Sequence, residues 1–459
     1  MPVNKDFYPI AGSSGAQSTG YTINQSIRFN KDDTAYMTRT PSGAGNTKKW
    51  TISWWEKRGR NVNLTNGNEY TFHTSTSGIN NASYIYNYNN HPYYWEAGNT
   101  YIATIKLRDP SAWYNNVVVY DSANPVPRER IKLFINGTRI LDFSTYGGLS
   151  LNQNSYWNSA TAHYISNTSS GSCVDAYLAE IVFIDGQALD PSSFSETNDS
   201  GIWIPKDPSD LTFGSNGFYL KGADSSALGT DSSGNGNNFT TGGLASHDQV
   251  ADTPNNNFAV INPLVRSNNT YSEGNLKVVC TTSTPAKFVS TIGVTSGKWY
   301  MEFRHSGDSN FTVGITTDNT ERNYIGISDG STSISFWPGG SGTSLIVNAS
   351  TISWDGSGTT WSAGDFIGLA LNADDSIITM YKNGSSLGSY DYSSLNWVEH
   401  FFAGGNYVSS TYLANFGQEG TFAGATTAGG NSDGSGVGNF KYSVPAGYKA
   451  LCTKNLFTG

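Results

Sequence analysis

Three observations predict an all-β chain of two sandwich domains. Glycine occurs 51 times and aromatic side chains reach 13%, against only 14% charged residues. That mixture suits short strands joined by Gly/Asn/Ser turns, whereas helical proteins draw more on Ala, Glu, Lys and Leu. Apolar residues alternate with small or polar ones over many short stretches, which is the period of a half-buried strand. At 459 residues the chain exceeds what one ordinary core organises, so two domains or more are expected.

Charge and cysteine narrow the function classes. A net charge of −9 and a pI near 5.1 argue against nucleic acid, which needs clustered Lys and Arg against phosphate. The densest basic group, Lys48 and Lys49 with Lys57, Arg58 and Arg60, reads as a solvated strand end. No stretch approaches the ~20 apolar residues of a membrane span. The opening MPVNKDFYPIAGSSGAQSTG has no apolar signal region, so synthesis in a host cytoplasm without export is expected. Cys173, Cys280 and Cys452 are odd in number and widely spaced, which predicts neither a disulfide framework nor a CxxC metal site.

Taken in order, residues 1–20 read as a polar N-terminal arm. SIRFN (26–30) and TAYMTR (34–39) flank a Lys31-Asp32-Asp33 turn. Thr51 to Lys57 alternates, with Ile52 and Trp54 on one face and Ser53 and Trp55 on the other. Tyr101 to Leu107 and Asn116 to Tyr120 are further strands. IKLFINGTRILDF (131–143) is a hairpin turned on Asn136-Gly137. AYLAEIVFIDGQAL (176–189) is a long strand with Leu178, Val182 and Ile184 expected on one face. Asp190-Pro191 is read as the N-cap and first residue of a short helix. Residues 21–205 resemble a laminin-G-like or pentraxin-like module, on SIRFN, WTISWWEKR, INGTRI and AEIVFIDGQAL. Such modules often hold calcium, but no compact Asp cluster here maps onto that site, so no cofactor or metal is assigned.

Residues 206–265 are rich in Asn, Gly, Ser and Asp, which reads as a linker. Phe218-Tyr219-Leu220, Phe239, Phe258 and Val260-Ile261 punctuate it, so it is expected to lie anchored across the next domain. This stretch, with SEGNLKV (272–278), resembles a segment of virion proteins from tailed, notably marine, bacteriophages. In residues 266–459, Ile367, Leu369 and Leu371 share one face, Ile377 to Lys382 forms the next strand, and Asn383-Gly384 supplies a tight hairpin turn. GKWYMEFR (297–304), FTVGIT (311–316), GDFIGLALN, ITMYKNGSSLG, TYLANFG and VPAGYKAL together resemble a SPRY domain. The resemblances imply two tandem concanavalin A-like (jelly-roll) β-sandwiches, laminin-G-like and then SPRY-like.

The search for chemistry favours binding over catalysis. None of the six histidines makes an HxH or HExxH arrangement, and GxSxG and GxxxxGK[ST] are absent. The enzyme rival is a laminarinase-type glycosidase, which shares the concanavalin-like fold and needs two carboxylates about 5 Å apart on one strand for retention. Glu180 to Asp185 is the nearest match to its E-x-D-x-x-E pattern, but Val182 stands where the central Asp belongs.

Binding candidates are Tyr84, Tyr86 and Tyr88, which alternate and so line one strand face, with Tyr93, Tyr94 and Trp95 following and Asn87, Asn89 and Asn90 interleaved. Aromatic faces stack on sugar C–H faces while amides bond the hydroxyls. Trp337, Trp354 and Trp361 beside Gly-rich turns are second-domain candidates. The expectation is a non-enzymatic virion protein, a tail-fibre or appendage adhesin for host-surface glycan. The alternatives are a capsid decoration or connector protein, and a glycosidase. Expected partners are other virion proteins, host glycan and further copies of the chain.

Overall fold

The computed structural model describes residues 20–59, 69–75, 82–166, 172–265, 269–280, 286–307, 311–318, 325, 332–338, 342–406 and 410–456. The expected N-terminal arm therefore falls outside the described residues, Gly20 apart. The chain forms two compact units, residues 1–255 and 256–459. Strands account for 44% and helices for 4%, so the fold is all-β, as its composition predicts.

Among the described residues, the first unit contains two eight-stranded sheets and a two-stranded one formed by Ser195–Thr197 and Trp203–Pro205. Across the first sheet run Thr138–Arg139, Ile131–Ile135, Trp113–Asp121, Lys49–Arg58, Ala176–Asp185, Ser26–Phe29 and Gln249–Val250, with Phe218–Leu220 also on Ala176–Asp185. The second runs Phe143–Tyr146, Asn99–Ala103, His91–Glu96, Ala82–Tyr88, Glu69–Ser75, His163–Ile165, Tyr36–Arg39 and Thr240–Gly242. The Lys31-Asp32-Asp33 turn thus joins strands of different sheets. Alternation places Trp50, Ile52 and Trp54 between the sheets with Phe72, Ile85, Tyr94 and Val118, all buried. Trp50 stacks on Tyr120 at 5.2 Å, while Trp55 faces the other way with Trp113 and Tyr177.

The strand Ala176–Asp185 departs from simple alternation. Its register against Lys49–Arg58 shifts between Ala179 and Val182, and Glu180 sits there at φ 51. A β-bulge adds one residue and exchanges the faces beyond it. Leu178 therefore joins the inter-sheet core, whereas Val182 and Ile184 face outward with Phe213 and Tyr219. The single face expected for Leu178, Val182 and Ile184 is corrected accordingly. Asp190 also does not cap: the 3₁₀ turn Pro191–Ser193 has no side-chain cap, and Asp190 lies 3.5 Å from Lys132 instead.

The expected linker is divided between the units. Residues up to 255 belong to the first, where Phe218–Leu220, Thr240–Gly242 and Gln249–Val250 each add to a sheet. Two buried ion pairs hold this strap on the outer side of the first sheet: Arg28 with Asp248 at 3.2 Å and Lys57 with Asp252 at 2.6 Å. Residues 256–265 belong to the second unit, with bridges from Phe258 to Cys452 and Ile261 to Ser290.

In the second unit an eight-stranded sheet centres on Lys298–His305 and Phe366–Asn372, flanked by Ser410–Asn415 and Ile377–Lys382. The Asn383-Gly384 turn has φ of 49° and 80°, the left-handed pair its sequence predicts. The six-stranded partner sheet includes Phe401–Asn406, Thr312–Thr316, Ser333–Trp337 and Ser344–Val347. Met301, Phe303, Leu369, Leu371, Val313 and Phe336 fill the core between them. The chain end is drawn in by Glu302, whose carboxylate accepts from the amides of Lys441 at 2.8 Å and Tyr442 at 2.9 Å.

Asp248→Ala leaves the Arg28 guanidinium buried without this counter-ion, a change that typically costs about 3–5 kcal/mol. The expected outcome is an earlier calorimetric unfolding transition for the first unit and an unchanged second transition. An unaltered first transition would refute the anchoring role of the pair.

Candidate functional site

The candidate site is the outer face of the second sheet in the first unit. Ala82–Tyr88 and His91–Glu96 form a hairpin through Asn89 and Asn90, whose φ values are 50° and 66°. Pairing sets Tyr86 opposite Tyr93 and Tyr84 opposite Trp95, so these four share the outer face with Tyr88. Tyr94 pairs with Ile85 and faces inward, fully buried, its hydroxyl donating to Glu96 at 2.6 Å. Period two thus removes Tyr94 from the expected surface and makes it core.

The structure adds four rings that the sequence reading omitted. Tyr70 and His73 come from Glu69–Ser75, Tyr164 from His163–Ile165 and Tyr36 from Tyr36–Arg39. A register shift between Tyr70 and Phe72 brings Tyr70 and His73 into contact while Phe72 stays in the core. His73 lies 4.9 Å from Tyr84 at 1° and 5.6 Å from Tyr164 at 22°. Tyr70 touches Tyr84 and Tyr86 at 5.1 and 4.8 Å, Tyr86 touches Tyr93 at 4.1 Å, and Tyr93 touches Tyr88 at 6.0 Å. Tyr36 extends the array from Tyr164 at 6.4 Å.

The stacking geometry constrains what this face offers. Parallel rings as close as His73 and Tyr84 cannot lie side by side in one plane, so they overlap face to face. In such a stack, ring faces are used on neighbouring rings, and ring edges with their phenol oxygens form the outer ridge. Burial pushes the Tyr84 and Tyr86 hydroxyls above their usual range, for Tyr86 reinforced by its hydrogen bond to Tyr93. Burial pushes His73 down to about 4, so the stacked imidazole is neutral at physiological pH.

Beneath this sheet a narrow cleft opens between the layers, lined by Trp54, Glu56, Ile85, Asn87, Tyr94 and Asn116 among others. Glu56 accepts from Trp54 Nε1 and Asn87 Nδ2, both at 3.0 Å, and its burial raises its pKa. The interleaved Asn87 is therefore spent on the interior.

The remaining candidates fall elsewhere. Trp337 is half-buried at the end of Ser333–Trp337 in the second unit. Trp354 is 8% exposed, packs on Phe336 at 5.0 Å and donates to the Thr343 carbonyl, so it is core rather than a loop contact. Glu180 and Asp185 serve separate networks. Glu180 accepts from Tyr219 and, at 3.1 Å, from Tyr21, whereas Asp185 is held by Asn46, Asn158 and Asn216. Among the described residues no group of three or more His, Cys, Asp or Glu side chains could hold a metal ion. No described helix is long and apolar enough to cross a membrane.

The fold and this face define an all-β sandwich protein carrying an aromatic array. Among solved structures, the chain is similar to the SPRY domain of human HERC1, with 18% identity and a TM-score of 0.28 over 34% of this chain and 96% of that one. It is also similar to the TRIM65 PSpry domain, with 14% identity and a TM-score of 0.29 over 34% of this chain and 88% of that one. No family model and no curated protein matches the chain.

Titration within this unit runs in two opposing directions. Burial lowers His73 and His163 to about 4, and it raises Glu96 and Glu180 to about 7. A depressed histidine gives stability that is complete above its unfolded pKa of about 6.5 and is lost as pH falls through the folded value. A raised carboxyl gives stability that is complete below its unfolded pKa of about 4.3 and is lost as pH rises through the folded value. The first unit's melting temperature is therefore expected to fall on both the acid and the alkaline side. His73→Phe, which keeps an aromatic ring in the stack, should make the acid limb shallower and leave the alkaline limb in place. An identical acid limb in that variant would refute the assignment.

Proposed function

We propose that the chain is a non-enzymatic structural protein of a tailed-phage virion, a fibre or appendage adhesin whose first unit binds host-surface carbohydrate. The observation that carries the binding reading is the continuous array of Tyr36, Tyr164, His73, Tyr84, Tyr70, Tyr86, Tyr93 and Tyr88 across five strands of one sheet. Phenol edges supply hydrogen bonds to sugar hydroxyls from a surface already ordered by ring stacking, which limits the entropy lost on binding. The virion setting rests on the sequence resemblance of residues 206–278 to phage proteins.

A second reading, a capsid decoration or connector protein, draws on the same face. Tyrosine is enriched at protein interfaces, and these rings are half-buried, with Tyr86 only 8% exposed. There the array would pack on a neighbouring virion protein.

Binding of the purified full-length protein to host cells and to their isolated envelope glycans separates the readings. The double variant Tyr86→Ala/Tyr93→Ala removes two adjacent rings and should weaken glycan binding by about tenfold or more. Absence of glycan binding by the wild-type protein, together with antibody label spread over the phage head, would replace the adhesin reading with the decoration reading.

A further inference from the structure

The best-defined chemical constellation outside the aromatic face lies on the other side of the first sheet. Lys57 is near the end of Lys49–Arg58 and points outward, like Trp55 and opposite to Glu56. Asp252 follows the edge strand Gln249–Val250. Lys57 Nζ lies 2.6 Å from Asp252 Oδ2, and both side chains are 0% exposed. Trp113 Nε1 donates to the other carboxylate oxygen, Oδ1, at 3.0 Å. Ser26 Oγ donates to the Asp252 carbonyl at 2.6 Å, which fixes the backbone. The walls are apolar: Ile23, Trp55, Trp113, Tyr177 and Val250 form one buried cluster, and the Tyr177 ring centroid is 5.7 Å from Lys57 Nζ.

We propose that Lys57 and Asp252 condense into an intramolecular isopeptide bond. A dry, apolar site disfavours the charged pair, so one proton passes from the ammonium to the carboxylate and leaves a neutral amine beside a neutral acid. Burial lowers the Lys57 pKa, in the direction this transfer requires. The Nζ lone pair then attacks Cγ, and the developing charge on Oδ1 is met by the Trp113 indole N–H already aimed at it. The Cγ–Oδ2 bond breaks, and Oδ2 leaves as water with the acid proton and one amine proton. The other amine proton remains on the new amide. Amine plus acid gives amide plus one water, with no change of oxidation state and no co-reactant.

The other buried pairs serve as internal controls. Arg28 with Asp248 offers a guanidinium, which is no nucleophile at this pH. Lys287 is 3.4 Å from Asp318, whose side chain keeps 14% exposure, and it also donates to the Asp318 backbone carbonyl. Water at that carboxylate favours the charged pair, so one condensation is expected and not two. The bond would join positions 195 residues apart and staple the strap to the sheet.

Intact mass measurement of the denatured full-length protein tests this directly. The wild-type chain should be one water, about 18 Da, lighter than its sequence. Fragmentation should yield a branched peptide containing Lys57 and Asp252. Lys57→Arg keeps the charge pair but cannot condense, and it should show the full sequence mass. A wild-type chain at full mass, or a deficit that persists in Lys57→Arg, overturns the proposal.

Discussion

The first unit depends on burying two basic side chains, Arg28 and Lys57, under a polar strap that supplies their acidic partners. Arg28 and Lys57 project from the outer side of a sheet whose inner side is already committed to Ile27, Trp54 and Phe29. A basic group buried there without an acidic partner would be untenable, so Asp248 and Asp252 must arrive from 220 and 195 residues away. Their arrival fixes everything between: Tyr219 and Phe213 are pressed onto Val182 and Ile184, and the sheet is covered on both sides. A glycine- and asparagine-rich stretch with little intrinsic preference is thus ordered by electrostatics and a handful of aromatic anchors.

This explains which features the sequence discloses. The Asn136-Gly137 and Asn383-Gly384 hairpins, the Trp54/Trp55 split and the succession of strands in the second unit are local, set by turn chemistry and alternation within a few residues. The strap's destination is not local. Its apolar anchors mark it as folded, but nothing within residues 206–255 says which surface accepts them. The partner charges at Arg28 and Lys57 carry that information, and they look like ordinary surface residues until the sheet exists.

The bulges set a second limit on legibility. Glu180 takes a left-handed conformation without being glycine or asparagine, so the sequence gives no warning that faces exchange there. The same problem hides Tyr70 and His73 of the aromatic array. Tyr84, Tyr86 and Tyr88 are visible as a period-two triplet, and Tyr93 follows from the short hairpin. Tyr70 and His73, three apart, cannot share a face of a regular strand and do so only through the register shift. Tyr164 sits in a three-residue strand, too short for any periodic signal. Only Tyr36, within a stretch already read as a strand, was recoverable by pattern.

Both units close with the same device. Asp231-Ser-Ser-Gly-Asn-Gly-Asn237 and Asp433-Gly-Ser-Gly-Val-Gly-Asn439 share Asp, Ser, Gly, Gly and Asn at equal spacing. The glycines have positive φ in each: 89° and 72° at Gly234 and Gly236, 74° and 99° at Gly436 and Gly438. Each loop curls around its aspartate, which accepts from Ser233 and Asn237 in one unit and from Ser435 and Val437 in the other. The aspartate then reaches past its own loop. Asp231 takes the amide of Tyr219, and Asp433 takes that of Ala450. Tyr219 lies in a short strand on Ala176–Asp185, and Ala450 in one on Lys298–His305. A carboxylate in a glycine-rich loop thus does for these strands what a neighbouring strand would do, satisfying backbone donors where the sheet has no room for another partner. The low complexity of both stretches is therefore a folding requirement: the glycines admit the left-handed turns, and the polar residues replace a ladder.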